Sequence, residues 1–287
     1  MKMATTLALK LHAYGISRLH DSAWCGEALW NHAKRHYRGR AEPSTMFRAT
    51  IKNGFLYHLG LWIFEEYVES DDLIHDADTG WCLDYVADLV EMLELAGVVP
   101  QDRPLALARR LLSRPELEEP WELDPNQRST LKSLLKRRYN AFHESYASVI
   151  QSVKSGYAAN YAERVFHDRE LCGYIAQLLV EIGIDGTVDD ELPAKWCKRR
   201  NIPAWAARAV AARDRGKCAA CSSDISLELS AEGQIDLIVP LAQGGCNDLV
   251  NLQLLCSKCN SVKRARLEPT TSSVPGYLQR RLSRRGR

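Results

Sequence analysis

Histidine is absent from the C-terminal part of this 287-residue chain: all eight, His12, His20, His32, His36, His58, His75, His143 and His167, stand at or before position 167. Proton transfer beyond that point must use another group, or a histidine brought over from the N-terminal part, because imidazole is the side chain that titrates near neutral pH. Long apolar runs are absent too. The opening Met1-Lys2-Met3-Ala4-Thr5-Thr6 leads into sequence broken by His12, Arg18, His20 and Asp21, so neither a secretory signal nor a span of about eighteen apolar residues is expected. Cytoplasmic residence, with no membrane partner, is the resulting expectation. No fixed-period repeat and no low-complexity tract occur, which excludes a solenoid. Nor is there an excess of one charge, the formal net charge being +2. Its distribution is uneven, however: residues 201–287 carry thirteen Lys/Arg against seven Asp/Glu, a basic end of the kind that a phosphate-binding surface requires.

What is present is ordinary globular composition, 46% hydrophobic and 26% charged, in a chain long enough for two domains. Helical periodicity dominates the first part. Asp124-Pro125 offers a capping residue followed by proline at the first helical position, and Leu131, Leu134, Leu135, Tyr139, Phe142, Tyr146 and Ile150 follow at three- and four-residue spacing. A second helix is predicted from Thr79 through Tyr85, Val86, Leu89 and Leu93 to Ala96, stopped by Gly97. Periodicity fails between Gly183 and Pro203, where Asp185-Gly186, Asp189-Asp190-Glu191, Pro193 and Lys198-Arg199-Arg200 follow one another. The expected organisation is a mostly α protein: a helical bundle over 1–184, a linker over 185–203, a small domain over 204–268 and a basic tail over 269–287.

In the small domain a short helix is predicted around Trp205 to Ala212, a turn at 213–217, a strand from Ile235 to Leu241, a tight turn at Gly244-Gly245, and a helix from Cys256 to about Leu267. Nine cysteines are present, and four of them form two C-x-x-C knuckles, Cys218/Cys221 and Cys256/Cys259. Four thiolates fill a tetrahedral coordination sphere, so zinc held there would be structural, with no open position for water. Cys25, Cys82, Cys172, Cys197 and Cys246 read as reduced, buried small hydrophobes. His32 and His36 lie on one predicted helix face beside Lys34, Arg35, Arg38 and Arg40, a solvated basic face rather than a metal pair. His75-Asp76 with Asp78 reads as a helix entry before Thr79, and Lys132, Lys136, Arg137 and Arg138 as the wet side of a helix.

Between the knuckles run Ile235-Asp236-Leu237-Ile238-Val239-Pro240-Leu241, Gly244-Gly245-Cys246-Asn247 and Asn251-Leu252, and the second knuckle continues into Asn260 and Lys263. In this order of elements the segment from Trp205 to Arg266 resembles the HNH (ββα-metal) endonucleases. The resemblance implies a two-stranded hairpin against a helix that cuts a phosphodiester, with double-stranded DNA as partner. Asp236 and Asn260 would hold a catalytic magnesium or manganese ion, hard oxygen donors suiting a hard cation. Asn251 would brace the loop and orient the strand, and Lys263 and Arg264 would contact phosphate. One departure is consequential. The family reads Asp-His where this chain reads Asp236-Leu237, and leucine has no lone pair with which to take a proton.

General-base assistance is typically worth about 10²–10⁴ in rate, so hydrolysis should be severely impaired. Two explanations of Leu237 stand open at this point: a disabled version of an active endonuclease, of the kind found in restriction or phage-defence systems, or a natural pseudonuclease serving as a nucleic-acid-binding or scaffolding subunit of a larger complex. The N-terminal helical region, which resembles no family, would sense the target, bind a protein partner or self-associate.

Overall fold

The computed structural model describes residues 5–19, 50, 52–69, 79–117, 122–182, 199–225 and 233–267. Among these residues are eight α-helices and one two-stranded antiparallel sheet. The helices are α1 (Thr5–Arg18), α2 (Phe55–Phe64), α3 (Thr79–Leu95), α4 (Arg103–Leu112), α5 (Pro125–His167), α6 (Arg169–Ile182), α7 (Ala204–Arg213) and α8 (Ser257–Lys263); the strands are β1 (Gly233–Leu237) and β2 (Leu252–Cys256). The fold is thus mostly α, with the small sheet near the C-terminus. No helix among the described residues is long and apolar enough to cross a membrane. Cys25, Cys197, His32, His36, His75, most of the expected linker and the basic tail lie outside the described residues.

The chain forms two compact units, one of Met1–Ser17 with Gly60–Asn160, the other of Arg18–Leu59 with Tyr161–Arg287. This division differs from the one expected from the sequence, because it assigns α6 to the same unit as the sheet rather than to the helical bundle. A composition break marks where periodicity stops. It carries no information about which neighbour a helix packs against.

In the first unit α5 begins where its cap predicts: Asp124 Oδ1 accepts from the amides of Asn126 and Gln127, and Gln127 Oε1 accepts in return from the Asp124 amide, a reciprocal cap that satisfies orphan donors. Leu131, Leu135, Tyr139, Phe142, Tyr146 and Ile150 are buried along one face, and the helix kinks at Tyr146 (φ −125°, ψ 21°) before running on. α3 ends as its sequence predicts: Gly97 takes φ +95°, and the Val98 amide donates to the Leu93 carbonyl, a left-handed cap that glycine adopts without a Cβ penalty. After α2 a π-helical turn, Glu65–Glu69, places Glu65 and Glu69 at 2.6 and 3.0 Å from the buried Lys154 ammonium.

In the second unit α6 packs against a single 3₁₀ turn at Leu249–Asn251, and α7 and α8 both pack against β2. The sheet is in register from Gly233↔Cys256 to Leu237↔Leu252. β1 therefore starts earlier and ends earlier than the predicted strand. Past Leu237 the chain turns into Pro240, which has no amide hydrogen to give a ladder, and the amides of Ile238 and Val239 bond instead to the backbone and side-chain oxygens of Asn251. α8 is likewise shorter than predicted, because Arg264 takes a positive φ of 50° and ends it. The tight turn at Gly244-Gly245 stands as predicted: a Cβ on Gly245 would lie 2.0 Å from the Val239 carbonyl oxygen.

Two buried polar clusters fasten this unit together. Arg213, the last residue of α7, forks onto the Asp214 carboxylate at 2.8 and 3.1 Å and donates to the Leu252 carbonyl at 2.7 Å. Its guanidinium lies over the Phe166 ring, while Arg169 of α6 reaches Asp214 at 3.5 Å and the Leu254 amide donates to the same carboxylate at 2.9 Å. In the second cluster the fully buried Asp248 accepts from the amides of Val250 and Phe55, and Thr50 donates to the Asn247 carbonyl. Burial holds the Asp248 carboxyl above the usual carboxylate range, although both amides pull it down.

Candidate metal and nucleic-acid site

The turn predicted at 213–217 delivers the first knuckle. The Gly216 amide donates to Ala211 and the Lys217 amide to Asp214. The Cys218 amide then donates to Ser223, closing a loop in which Ser222 takes φ 59°. The Ala219 amide donates to the Leu254 carbonyl, which ties the knuckle to β2. The second knuckle straddles the end of that strand and the start of α8, where Cys256 serves as the helix cap and accepts from the Cys259 amide.

The sulfurs of Cys218, Cys221, Cys256 and Cys259 consequently lie within 4.8 Å of one another, with Cys221 and Cys256 at 3.9 Å. A tetrahedron with Zn–S bonds of about 2.3 Å has edges of about 3.8 Å, so the cage fits that ion with little adjustment. Hydrogen bonds from the Ser223 hydroxyl and amide pull the Cys221 thiol down to about 6, whereas burial and the neighbouring sulfurs push Cys259 up. A bound dication would override both shifts by taking all four sulfurs as thiolates. The remaining described cysteines, Cys82, Cys172 and Cys246, are buried. Burial drives the Cys172 thiol up to about 12, which makes it unreactive.

β1 and α8 pack face to face and bring the other candidates together. Gln234 and Asp236 share one face of the strand, and Asn260 and Lys263 share one face of the helix. Asn260 Nδ2 donates to Gln234 Oε1, and Lys263 Nζ donates to Asp236 Oδ2 at 2.8 Å and to the Leu237 carbonyl at 2.7 Å. Asp236 and Lys263 are both buried, 7% and 3% exposed. Lys263, expected as a surface contact for phosphate, is therefore occupied inside the site. Arg264 is exposed, as are Arg208, Arg215, Lys217, Lys258 and Arg266 of the same unit.

The oxygens of Asp236 and Asn260 are the right type for a hard divalent ion and come from adjacent elements. Their chemistry fits, with Lys263 as a competitor for the carboxylate. Leu237, where the resemblance led a general base to be expected, is 5% exposed and pairs across the sheet with the buried Leu252.

Asn251 is fully buried, and its side chain makes three hydrogen bonds: its oxygen accepts from the Val239 amide at 2.7 Å, and its amide donates to the carbonyls of Val239 and Cys246 at 2.9 and 2.8 Å. These bonds fix the turn that follows Asp236 and Leu237. Asn251→Ala would leave one buried amide and two buried carbonyls without those partners, and is expected to cost about 2–4 kcal/mol. A lower melting temperature of the metal-loaded chain checks this.

Sequence reasoning missed Gln234, Gln253 and the Arg169–Arg213–Asp214 cluster. Gln253 faces Asp236 across the sheet and donates to the Leu237 carbonyl at 3.4 Å. The pairing register was the only signal for it, and two five-residue strands without a short turn between them do not reveal their register.

No curated protein and no solved structure matches the chain. Residues 218–266 match the family model described as HNH endonuclease, while the N-terminal part matches none. The two cysteine knuckles and the β1–β2–α8 core between and beside them accordingly belong to an HNH endonuclease domain at residues 218–266, in the C-terminal region of the chain.

Proposed function

We propose that the chain is an HNH-type DNA endonuclease by architecture that grips double-stranded DNA through its second unit and hydrolyses it very poorly. Leu237 carries this reading. An aliphatic side chain, packed against Leu252, stands where the family keeps its general base, while Asp236, Asn251 and Asn260 remain around it. Loss of base assistance forfeits about 10²–10⁴ in rate. Binding does not depend on that residue, because the exposed arginines and lysines of the unit attract phosphate whatever stands at position 237.

Structural zinc on Cys218, Cys221, Cys256 and Cys259 would hold the domain's shape. Magnesium or manganese would sit on Asp236 and Asn260, and when bound it would supply Lewis-acid stabilisation of the phosphate. Leu237 contributes no proton transfer. Asn251 keeps the strand end in place, and Arg264 offers a cation to the backbone of the duplex. A restriction or phage-defence role in the cytoplasm, with the helical unit sensing a signal, binding a protein partner or self-associating, extends the same reading by analogy with the use of such fusions.

The second reading, a natural pseudonuclease that binds or scaffolds, is favoured by a specific pair of contacts. Leu237 is absorbed into apolar packing with Leu252, and Lys263 neutralises Asp236. Both readings predict binding without cutting. Titration of a labelled duplex at several salt concentrations should show binding whose log K falls with log salt, by about 0.9 per phosphate contacted. The same protein should leave supercoiled plasmid nearly intact in magnesium or manganese. Efficient nicking, or no binding at low salt, would sink the proposal.

A further inference from the structure

Lys263 is the unexpected occupant of this site. It ends α8, its ammonium is buried, and two of its three N–H groups are spent on Asp236 Oδ2 and the Leu237 carbonyl. The carboxylate available to a divalent ion therefore already has a cation of its own, which is covalently attached and cannot diffuse away. A second cation can share Asp236 only by displacing Lys263 or by tolerating a like charge beside it.

Displacement of the ammonium from a buried pair is unfavourable unless it finds another anion. A duplex brings that anion. Phosphate oxygens arriving at the exposed end of α8, where Arg264 and Arg266 already lie in solvent, offer Lys263 a partner one residue beyond the helix end. A released carboxylate is then free for the ion.

On the reading of β1, β2 and α8 as a nucleic-acid site, we infer that Lys263 is a removable stand-in for the divalent ion: it holds Asp236 in the free protein and surrenders it when duplex phosphate draws the ammonium away. Metal and DNA then bind the site with positive coupling, and by linkage each strengthens the other equally.

The test uses the zinc-loaded full chain and manganese alone, with bound manganese counted by electron paramagnetic resonance. The wild type should show no saturable manganese site in the absence of DNA, and one site when a short duplex is present. Lys263→Met should gain one saturable manganese site without DNA, which the wild type lacks under the same conditions, and Asp236→Asn should remove the site in every background. Zinc content reports whether each variant has folded. Should Lys263→Met fail to fold, the wild type with and without duplex still decides. A saturable, Asp236-dependent manganese site in the DNA-free wild type overturns the inference, and so does a folded Lys263→Met variant that gains none. A failure of DNA binding itself would be read separately by anisotropy of the labelled duplex, and would leave the comparison of wild type with Lys263→Met in the absence of DNA to settle the role of the lysine.

Discussion

Leu237→His is expected to raise plasmid nicking in magnesium or manganese by about 10²–10⁴-fold, the usual worth of a positioned general base. At about 1.36 kcal/mol per decade this corresponds to about 3–5.5 kcal/mol of barrier. The gain should carry a pH signature. Only the neutral imidazole accepts a proton, so nicking should rise as pH passes upward through about 6.5. The substitution also has a cost: Leu237 is 5% exposed and packed against Leu252, and a polar ring placed there should lower stability by about 1–3 kcal/mol. Nicking should therefore be compared at a temperature well below the melting transition of both proteins. Asp236→Ala in the histidine background should abolish the gained activity. A Leu237→His protein that folds, binds duplex and still leaves plasmid intact would remove the disabled-enzyme explanation and leave the pseudonuclease.

The other large effect concerns the thiolate cage. Structural zinc contributes about 10–16 kcal/mol of apparent binding free energy in small domains near neutral pH, and that energy is folding energy. A strong chelator, or Cys218→Ser, should therefore unfold the region around β1, β2 and α8, with loss of far-UV signal, loss of duplex binding and new protease sensitivity after residue 217. The purified chain should carry about one tightly held zinc. Cys218 is the most informative position, since it is the buried member of the four and its amide is bonded to Ser223. If chelation removes a full equivalent of zinc and the melting curve does not move, the ion is not what holds this domain together.

These expectations rest unevenly on what the residues alone disclose. The two knuckles were legible because coordination chemistry demands cysteines two apart, twice, and nothing else in the chain competes for that pattern. α5 and α3 were legible from local signals that need no partner: Asp124-Pro125 at one start and Gly97 at one stop. The destination of Lys263 was not. Helical spacing places it beside Asn260, yet whether it reaches out to solvent or inward to Asp236 depends on how β1 meets α8, a contact between segments 27 residues apart. The extent of β1 was misjudged for a similar reason. Ile238 and Val239 have strand-like side chains, and only the hydrogen bonds they make with Asn251 show that their amides have left the ladder. Leu237 stands apart from both cases. Its meaning came from the motif around it, and the structure adds that the position has been closed over by apolar packing.

The Asp214 cluster bears on how much of this protein one could borrow. Its carboxylate accepts hydrogen bonds from Arg213 and from the backbone of β2 and is ion-paired with Arg169, so α6 is built into the footing of the HNH domain rather than tethered to it. A gene fragment beginning at residue 204 would retain every motif residue yet discard Arg169, Phe166 and the amide of Phe55 that serves Asp248. The module is therefore not a cassette that can be moved between proteins by its motif boundaries alone; its transferable form includes α6 and the stretch around Thr50 to Leu59.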